Sequence, residues 1–172
     1  MEGETTGKFD IVVYGATGFT GALVAEYLFQ SHGDINWAIA GRSQTKLDAI
    51  KHQLGAPELA TLVADSDSVE DMTRLAAQSR VIISTVGPYA RYGTNLLEAC
   101  AAEGTHYCDL TGEPQWMAGV FERVSSAAEE SGARLIHCCG FDSIPSDLGV
   151  FVAQKTMMEN HGLYASKVSG RM

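Results

Sequence analysis

Short apolar runs alternate along the chain with longer segments in which apolar residues recur every three or four positions. The short runs are typical of buried strands, and the longer segments are typical of amphipathic helices. The pattern predicts strands at 9–14, 36–40, 59–64, 80–86, 106–110 and 133–139, and helices at 19–31, 44–54, 68–78, 92–102, 115–131 and 145–159. Such alternation with short connections predicts an α/β fold, a doubly wound parallel sheet with helices on both faces in three layers, α/β/α.

The helices carry their own start and stop residues. The first helix is expected to bury Leu23, Val24, Tyr27 and Leu28 and to end at Gly33. The third helix is expected to begin with Asp67 or Ser66 as its N-cap, and the last has Pro145 in its first turn. These signals agree with the apolar periodicity, and the chain from 1 to 172 is therefore predicted to form a single domain.

Composition excludes several functional classes. Apolar residues make up 45% and charged residues 19% of the 172, which is typical of a globular protein. No apolar run approaches the ~20 residues that cross a bilayer, and the polar start at 1–7 resembles neither a secretory nor a transit signal. A cytoplasmic location is therefore expected. The net charge of −9 argues against a nucleic-acid partner. The four cysteines show neither metal-ligand spacing nor a disulfide framework, so no metal is expected.

A glycine-rich turn follows the first strand and opens the first helix. It consists of Gly15, Ala16, Thr17, Gly18, Phe19, Thr20 and Gly21. Gly15 would permit the tight turn, Gly18 would let a pyrophosphate approach the backbone, and Gly21 would let the helix pack closely on the strand. The N–H groups and the dipole at the helix start favour phosphate. A dinucleotide-binding Rossmann fold is therefore predicted, although the G-x-x-G-x-x-G spacing is only moderately specific.

The second strand indicates which dinucleotide is bound. NAD sites usually carry an acid near its end, about 20 residues after the glycines, for the ribose 2′-hydroxyl. Here the strand runs into Gly41, Arg42 and Ser43, with no acid. The Arg42 guanidinium can pair with a 2′-phosphate, and the Ser43 hydroxyl can add a hydrogen bond. The cofactor is therefore predicted to be NADP(H). Asp65, after the third strand, is expected either to bind the adenine amino group or to cap a helix.

Ligands in this topology lie beyond the carboxyl ends of the strands. Val86, Gly87 and Pro88 follow the fourth strand and are therefore expected to line the path of the nicotinamide ribose. Tyr89 and Tyr92 lie near them, but loop tyrosines more often pack than react.

Two polar loops follow the fifth and sixth strands. Candidates for proton transfer there are Asp109, Glu113, Asp142 and Ser143, accompanied by Thr111, Ser146 and Asp147. A competing interpretation makes Ser143 or Ser146 a helix cap and Glu113 a helix-starting acid. His106 and His137 fall within predicted strands and are interpreted as core or supporting groups rather than bases.

Two later segments resemble the saccharopine dehydrogenase-like oxidoreductases. One is the run from Gly87 through Glu113; the other, at 140–149, is similar to the branch that includes trans-acting enoyl reductases. The resemblance implies hydride transfer from NADPH to an imine, enoyl or carbonyl group of a small molecule. It also implies a second α+β domain that supplies the substrate pocket and the dimer contacts. This chain is expected to lack that domain, and therefore to bind cofactor without turnover.

Three other functions were compared with this one. A short-chain dehydrogenase would need Lys four positions after a catalytic Tyr, and no tyrosine meets that spacing. An acyl-phosphate reductase would need Cys108 or Cys138 exposed beside the nicotinamide, whereas both fall in predicted strands. A non-catalytic NADP sensor would keep the same glycine turn, so it stays an open alternative.

Overall fold

The computed structural model describes residues 9–32 and 34–170, so the predicted helix end at Gly33 lies outside the described residues. The strands are β1 Phe9–Tyr14, β2 Trp37–Gly41, β3 Ala60–Val63, β4 Ser79–Ser84, β5 His106–Asp109 and β6 Leu135–Ile136. The helices are α1 Phe19–Ser31, α2 Gln44–Leu54, α3 Val69–Ala77, α4 Tyr89–Tyr92, α5 Thr94–Glu103, α6 Pro114–Ser131 and α7 Ile144–His161. The predicted α/β alternation is thus confirmed.

All six strands are parallel and form one sheet in the order β3-β2-β1-β4-β5-β6. The chain builds the sheet outward from β1 to β3, crosses over, and builds the other half outward from β4. Tyr14 pairs with Ala40 on one side and with Ser84 on the other, and Ser84 pairs with Asp109. The carboxyl ends of the four central strands are therefore level, and the strand order reverses between β1 and β4. This is where a doubly wound sheet holds its ligands.

Each face of the sheet has its own apolar core. One core joins α3, α5 and α6 to the sheet through Met72, Leu97 and Val120, all buried. The other joins α1 and α2 to β1 and β2 through Ala25 and Leu47. Two covered faces give the predicted three layers.

Helix α1 approaches the sheet through small residues, contrary to the predicted face. Gly21, Ala25 and Leu28 are buried, whereas Leu23 and Tyr27 are 51% and 61% exposed. The predicted burial of Leu23 and Tyr27 is therefore wrong. Helical periodicity marked these apolar side chains as core, but the face that packs on the sheet runs through Gly21, Ala25 and Leu28 instead, with the closest approach to the Gly15 backbone at Gly21.

Helices α3 and α5 begin differently from the prediction. The N-cap of α3 is Ser68, whose hydroxyl accepts a hydrogen bond from the Asp71 N–H at 3.1 Å, and not Asp67 or Ser66. The helix predicted at 92–102 is two helices, a single turn α4 and the longer α5, which meet at Gly93. The first N–H groups of α4 bind a side chain that lies far away in the sequence. The local sequence pattern therefore does not predict where α4 begins.

Strand β6 is much shorter than the predicted 133–139. Pairing with β5 ends at Ile136, and Cys138 has a positive φ of 61°. The Cys138 N–H donates to the Asp109 carboxylate at 3.2 Å instead of to a strand partner. Cys138 and Cys139 consequently do not lie on opposite faces of a strand, as their spacing had suggested.

Helix α7 buries none of its residues. Its exposed side chains include Leu148, Phe151 and Val152. Large apolar side chains on so much of an exposed helix are unusual for a free surface, because burying them against another element would be favourable. No helix in the described part of the chain combines the length and the apolarity that a membrane crossing requires.

Candidate cofactor site

A groove of about 210 Å³ lies at the carboxyl edge of the sheet, where β1, β2 and β4 end. Six predicted residues line it: Gly15, Thr17, Gly18, Arg42, Val86 and Gly87. Three further lining residues were not predicted: Tyr14, Gly41 and Thr85. The glycine turn, the end of β2 and the loop after β4 thus meet around one space.

The first and third glycines of the turn hold the loop against its neighbours. Gly15 has a φ of +91°, and a Cβ there would also lie 2.7 Å from the Thr85 hydroxyl. At Gly21 a Cβ would lie 2.2 Å from the Gly15 carbonyl oxygen, far inside van der Waals contact. Only glycine fits either position, as the turn and the close helix packing require.

Gly18 is different, because it faces open space. Its φ of −88° and ψ of 167° suit any residue, and a Cβ would come no closer than 3.4 Å to the Gly15 carbonyl oxygen. Gly18 is the N-cap of α1, and no side chain among the described residues caps this helix. The first N–H groups of a helix have no intrahelical acceptor, so this end of α1 suits an anion. Phe19 and Thr20 are exposed at the same end. These residues fit a cofactor pyrophosphate.

Tyr14 and Thr85 both line the groove, and hydrogen bonds connect them to each other. The Thr85 N–H and hydroxyl both donate to the Tyr14 carbonyl, at 2.9 and 3.0 Å. The Tyr14 ring is buried, and burial raises its pKa to about 12, so the phenol is neutral near pH 7. The sequence did not predict either residue as part of the site, because Tyr14 has the pattern of an ordinary strand residue and Thr85 lies inside the predicted fourth strand.

Arg42 stands at the rim beside the glycine turn. Its side chain is exposed and makes no hydrogen bond or ion pair within the described residues, which leaves its donors available. The neighbouring Ser43 caps α2 by accepting a hydrogen bond from the Lys46 N–H at 3.4 Å. A hydroxyl that accepts one bond can still donate its proton. Both residues therefore keep the donors that the 2′-phosphate prediction requires.

Asp65 is exposed and does not line the groove. One of its carboxylate oxygens accepts a hydrogen bond from the Asp67 N–H at 3.1 Å, which closes a local turn. The helix that follows is capped by Ser68, so the predicted alternative of Asp65 as its cap is wrong. Contact between Asp65 and adenine stays a prediction.

The loop after β4 separates into a groove wall and a packed turn. Val86 and Gly87 face the groove, whereas Pro88 is exposed and does not line it. Tyr89 is buried, its hydroxyl donates to the Ser84 carbonyl at 2.9 Å, and burial raises its pKa to about 12. The guanidinium of Arg91 lies over the Tyr92 ring. Tyr89 is thus a packing residue, as interpreted from the sequence.

Asp109 is buried and fully engaged within the protein. Its carboxylate accepts hydrogen bonds from the Tyr107 hydroxyl at 2.9 Å and from the N–H groups of Thr111 and Cys138 at 3.1 and 3.2 Å. It also lies 2.7 Å from Nδ1 of His137, a side chain with 18% exposure. Asp109 therefore ties the ends of β5 and β6 together. His137 lies within the predicted strand but just past the end of β6, and it supports Asp109 from there.

The other candidates for proton transfer do not line the groove. The carboxylate of Glu113 accepts hydrogen bonds from two backbone N–H groups at the start of α4. Asp142 is exposed and Ser143 is half-buried, and both lie just before α7. Ser143 is at the N-cap of α7, but its side chain makes no capping hydrogen bond.

Two thiols at the ends of β5 and β6, Cys108 and Cys139, have raised pKa values. Burial raises the pKa of Cys108 to about 11, and it also raises the pKa of Cys139. Cys138 contacts the Met117 sulfur at 3.7 Å. Because the thiolate is the reactive form, the raised pKa values disfavour Cys108 and Cys139 as nucleophiles. His106 accepts a hydrogen bond from the Arg134 N–H at 3.1 Å, which is a structural role.

Residues 11–136 match the family described as the saccharopine dehydrogenase NADP binding domain. The chain belongs to this family. The resemblance seen in the sequence is therefore confirmed, and so is the prediction that the cofactor is NADP(H). The groove, the glycine turn and Arg42 all lie within the matched residues.

A putative trans-acting enoyl reductase of Mycobacterium tuberculosis is 46% identical over 158 residues, which are 91% of this chain. The chain spans only 38% of the length of that relative. The match reaches beyond the residues of the family description and includes most of the chain after β6.

Solved structures share the fold. Apo saccharopine dehydrogenase (L-Glu forming) of Saccharomyces cerevisiae has a TM-score of 0.69 at 19% identity, with 90% of this chain and 32% of that chain covered. A triphenylmethane reductase of Citrobacter sp. complexed with NADP(H) has a TM-score of 0.56 at 18% identity, with 75% of this chain and 48% of that chain covered. At such identities the likeness shows the fold, and it confirms the predicted Rossmann architecture.

Proposed function

We propose that the protein to which this chain belongs is an NADP(H)-dependent oxidoreductase that transfers hydride to a small-molecule substrate. The observation that carries the proposal is the exposed, unpaired Arg42 at the rim of a groove lined by the glycine turn. When bound, NADPH supplies the hydride. The chain supplies the helix end at Gly18 for the pyrophosphate, Arg42 and Ser43 for the 2′-phosphate, and Val86 and Gly87 beside the nicotinamide ribose.

The acceptor group is proposed to be an enoyl group, ahead of an imine or a carbonyl. Support comes from the curated relative at 46% identity, which is named a trans-acting enoyl reductase. The imine alternative has support only from the structural neighbour named saccharopine dehydrogenase, which is far less similar in sequence.

Replacing Arg42 by alanine is expected to remove the preference for NADPH over NADH. A charge-assisted pair of hydrogen bonds to a phosphate contributes about 1.5–3 kcal/mol, which corresponds to roughly 10- to 150-fold in affinity. Calorimetric titration should show that loss for NADPH and no change for NADH, which lacks the 2′-phosphate.

The matched control for this variant is Arg80→Ala. Arg80 is an exposed arginine at the amino-terminal end of β4, and it pairs with Asp10 of the neighbouring β1. Both residues lie at the edge of the sheet opposite the groove. Its removal should leave both affinities unchanged. Equal affinity of the unmodified chain for NADPH and NADH would refute the role of Arg42.

The substrate pocket is proposed to need residues beyond the 172 of this chain. Asp109 and Glu113 are engaged in hydrogen bonds within the chain, and α7 buries none of its residues and exposes the apolar side chains of Leu148, Phe151 and Val152. A relative more than twice as long supports a second domain that covers α7 and completes the substrate and homodimer contacts.

The 172-residue chain is therefore expected to bind NADPH without oxidising it. The chain would be incubated with NADPH and a trans-2-enoyl thioester, an imine or a carbonyl compound. The absorbance of NADPH should then fall no faster than in a blank without the protein. Turnover by this chain alone would contradict the need for a second domain.

A non-catalytic NADP sensor is the alternative, since the buried Asp109 and the half-buried Glu113 are both engaged in hydrogen bonds within the chain. In that case the longer protein would also bind NADPH without oxidising it with any of these acceptors.

A further inference from the structure

The carboxylate of Glu113 binds the start of a helix that lies earlier in the chain. One oxygen accepts a hydrogen bond from the Tyr89 N–H at 2.7 Å, and the other accepts from the Ala90 N–H at 2.8 Å. These N–H groups open α4 and have no acceptor within it, so a negative charge there is favourable. Glu113 itself precedes Pro114, the first residue of α6, and is half-buried. It therefore joins α6 to α4.

The groove wall lies immediately before α4. Thr85, Val86 and Gly87 form this wall, which we call the β4 wall. Its near end is held by Thr85, which donates two hydrogen bonds to the Tyr14 carbonyl. Val86 and Gly87 make no hydrogen bond within the described residues. The Val86 side chain packs against the apolar core, and the backbone of both residues is held by hydrogen bonds only at the anchors on either side of them.

The far end of the β4 wall is held by α4, which has two attachments to α6. The Tyr89 ring stacks on Trp116, with 5.6 Å between the ring centroids, and the Glu113 carboxylate holds the Tyr89 and Ala90 N–H groups. The ring contact is apolar and lies on the buried side of α4. Loss of the carboxylate would leave that contact and the hydrogen bond from the Tyr89 hydroxyl to the Ser84 carbonyl in place, and would remove the two hydrogen bonds that hold the backbone after Pro88.

We propose that Glu113 is a positioning residue that fixes the β4 wall and so sets the affinity of the groove for the nicotinamide half of the cofactor. The adenosine half depends on other elements, namely the glycine turn and Arg42 at the end of β2. In the part of the chain that the structure describes, no hydrogen bond joins Glu113 to those elements. Glu113 therefore contributes to the affinity for the nicotinamide half of the cofactor and not to that for the adenosine half.

This inference rests on the proposed function, and its test separates the two. Calorimetry would measure binding of NADPH and of adenosine 2′,5′-bisphosphate, which has the 2′-phosphate but no nicotinamide. Glu113→Gln puts an amide NH₂ against a backbone N–H and so loses at least one of the two hydrogen bonds. We expect NADPH to bind roughly 5- to 30-fold more weakly, as the loss of a charged acceptor implies. Binding of the bisphosphate should stay within about twofold.

Glu122→Gln is the matched control, because Glu122 is an exposed glutamate on α6 that makes no hydrogen bond or ion pair with the residues the structure describes. It removes the same charge and should change neither affinity. Glu113→Asp keeps the carboxylate on a shorter side chain, and its NADPH affinity should lie between those of the unmodified chain and Glu113→Gln. The aspartate variant decides the matter if the glutamine variant does not fold.

Unchanged NADPH affinity in the Glu113 variants would overturn the inference. An equal loss for NADPH and the bisphosphate would also overturn it, because that result assigns Glu113 a general structural role. If the unmodified chain binds neither compound, the proposed function fails first and the inference falls with it.

Discussion

Replacing Gly18 by valine is expected to abolish the binding of both NADPH and NADH while leaving the chain folded. The backbone at Gly18 already has the extended φ and ψ that valine prefers, and its Cβ would meet nothing closer than 3.4 Å. The branched side chain would instead fill the space in front of the α1 N-terminus, where the pyrophosphate must approach the N–H groups. Both cofactors carry the pyrophosphate, so both affinities should fall by more than about 100-fold.

Calorimetry and a thermal melt together test this expectation. The melting temperature of Gly18→Val should stay within about 4 °C of that of the unmodified chain, since a changed N-cap costs at most about 1 kcal/mol. The control is Gly112→Val, at an exposed glycine in the loop before α6 with no atom near its would-be Cβ. Retained affinity in a folded Gly18→Val variant would refute the assignment of the pyrophosphate to this helix end.

Replacing Gly21 by alanine is expected to destabilise the fold itself. A single methyl group would lie 2.2 Å from the Gly15 carbonyl oxygen and 2.7 Å from the Thr85 hydroxyl. Backbone cannot yield as a flexible side chain can, so α1 must shift away from β1. Overpacking of this kind costs about 1–3 kcal/mol, and sometimes more. The melting temperature should therefore fall by about 2–12 °C.

The matched control is Gly119→Ala on α6. A Cβ at Gly119 would meet nothing within 4 Å, and alanine is the better helix former by about 1 kcal/mol. Gly119→Ala should raise the melting temperature slightly, while Gly21→Ala lowers it. A Gly21→Ala variant as stable as the unmodified chain would show that the helix can move without cost.

Local chemistry determined the parts of the site that the sequence predicted. A glycine turn between a strand and a helix needs only neighbouring residues to form, and Gly15, Gly18 and Gly21 were assigned roles on that basis. Arg42 follows directly from its place after β2, at the edge where parallel strands end. The parallel α/β sheet follows in the same way, because apolar period and turn residues repeat along the chain.

Local residue patterns did not predict hydrogen bonds between side chains and partners that are far apart in the sequence. Glu113 was interpreted as a candidate acid or as a residue that starts α6, yet its carboxylate caps α4, 24 and 23 positions earlier. Asp109 was a candidate for proton transfer, yet it binds His137 and Cys138 across the end of the sheet and thereby shortens β6. The face of α1 was also mistaken, because periodicity counts apolar residues and does not measure the space beneath a helix.

By itself, the sequence determined the order of strands and helices, the family, the cofactor and the glycine turn. These depend on residue type at fixed spacing, which neighbouring positions along the chain specify. The tertiary structure decided which acids are engaged, which tyrosine and threonine complete the groove, and which helices remain uncovered. These depend on how the crossover after β3 brings β4, β5 and β6 beside β1, and hence on contacts between residues far apart in the chain.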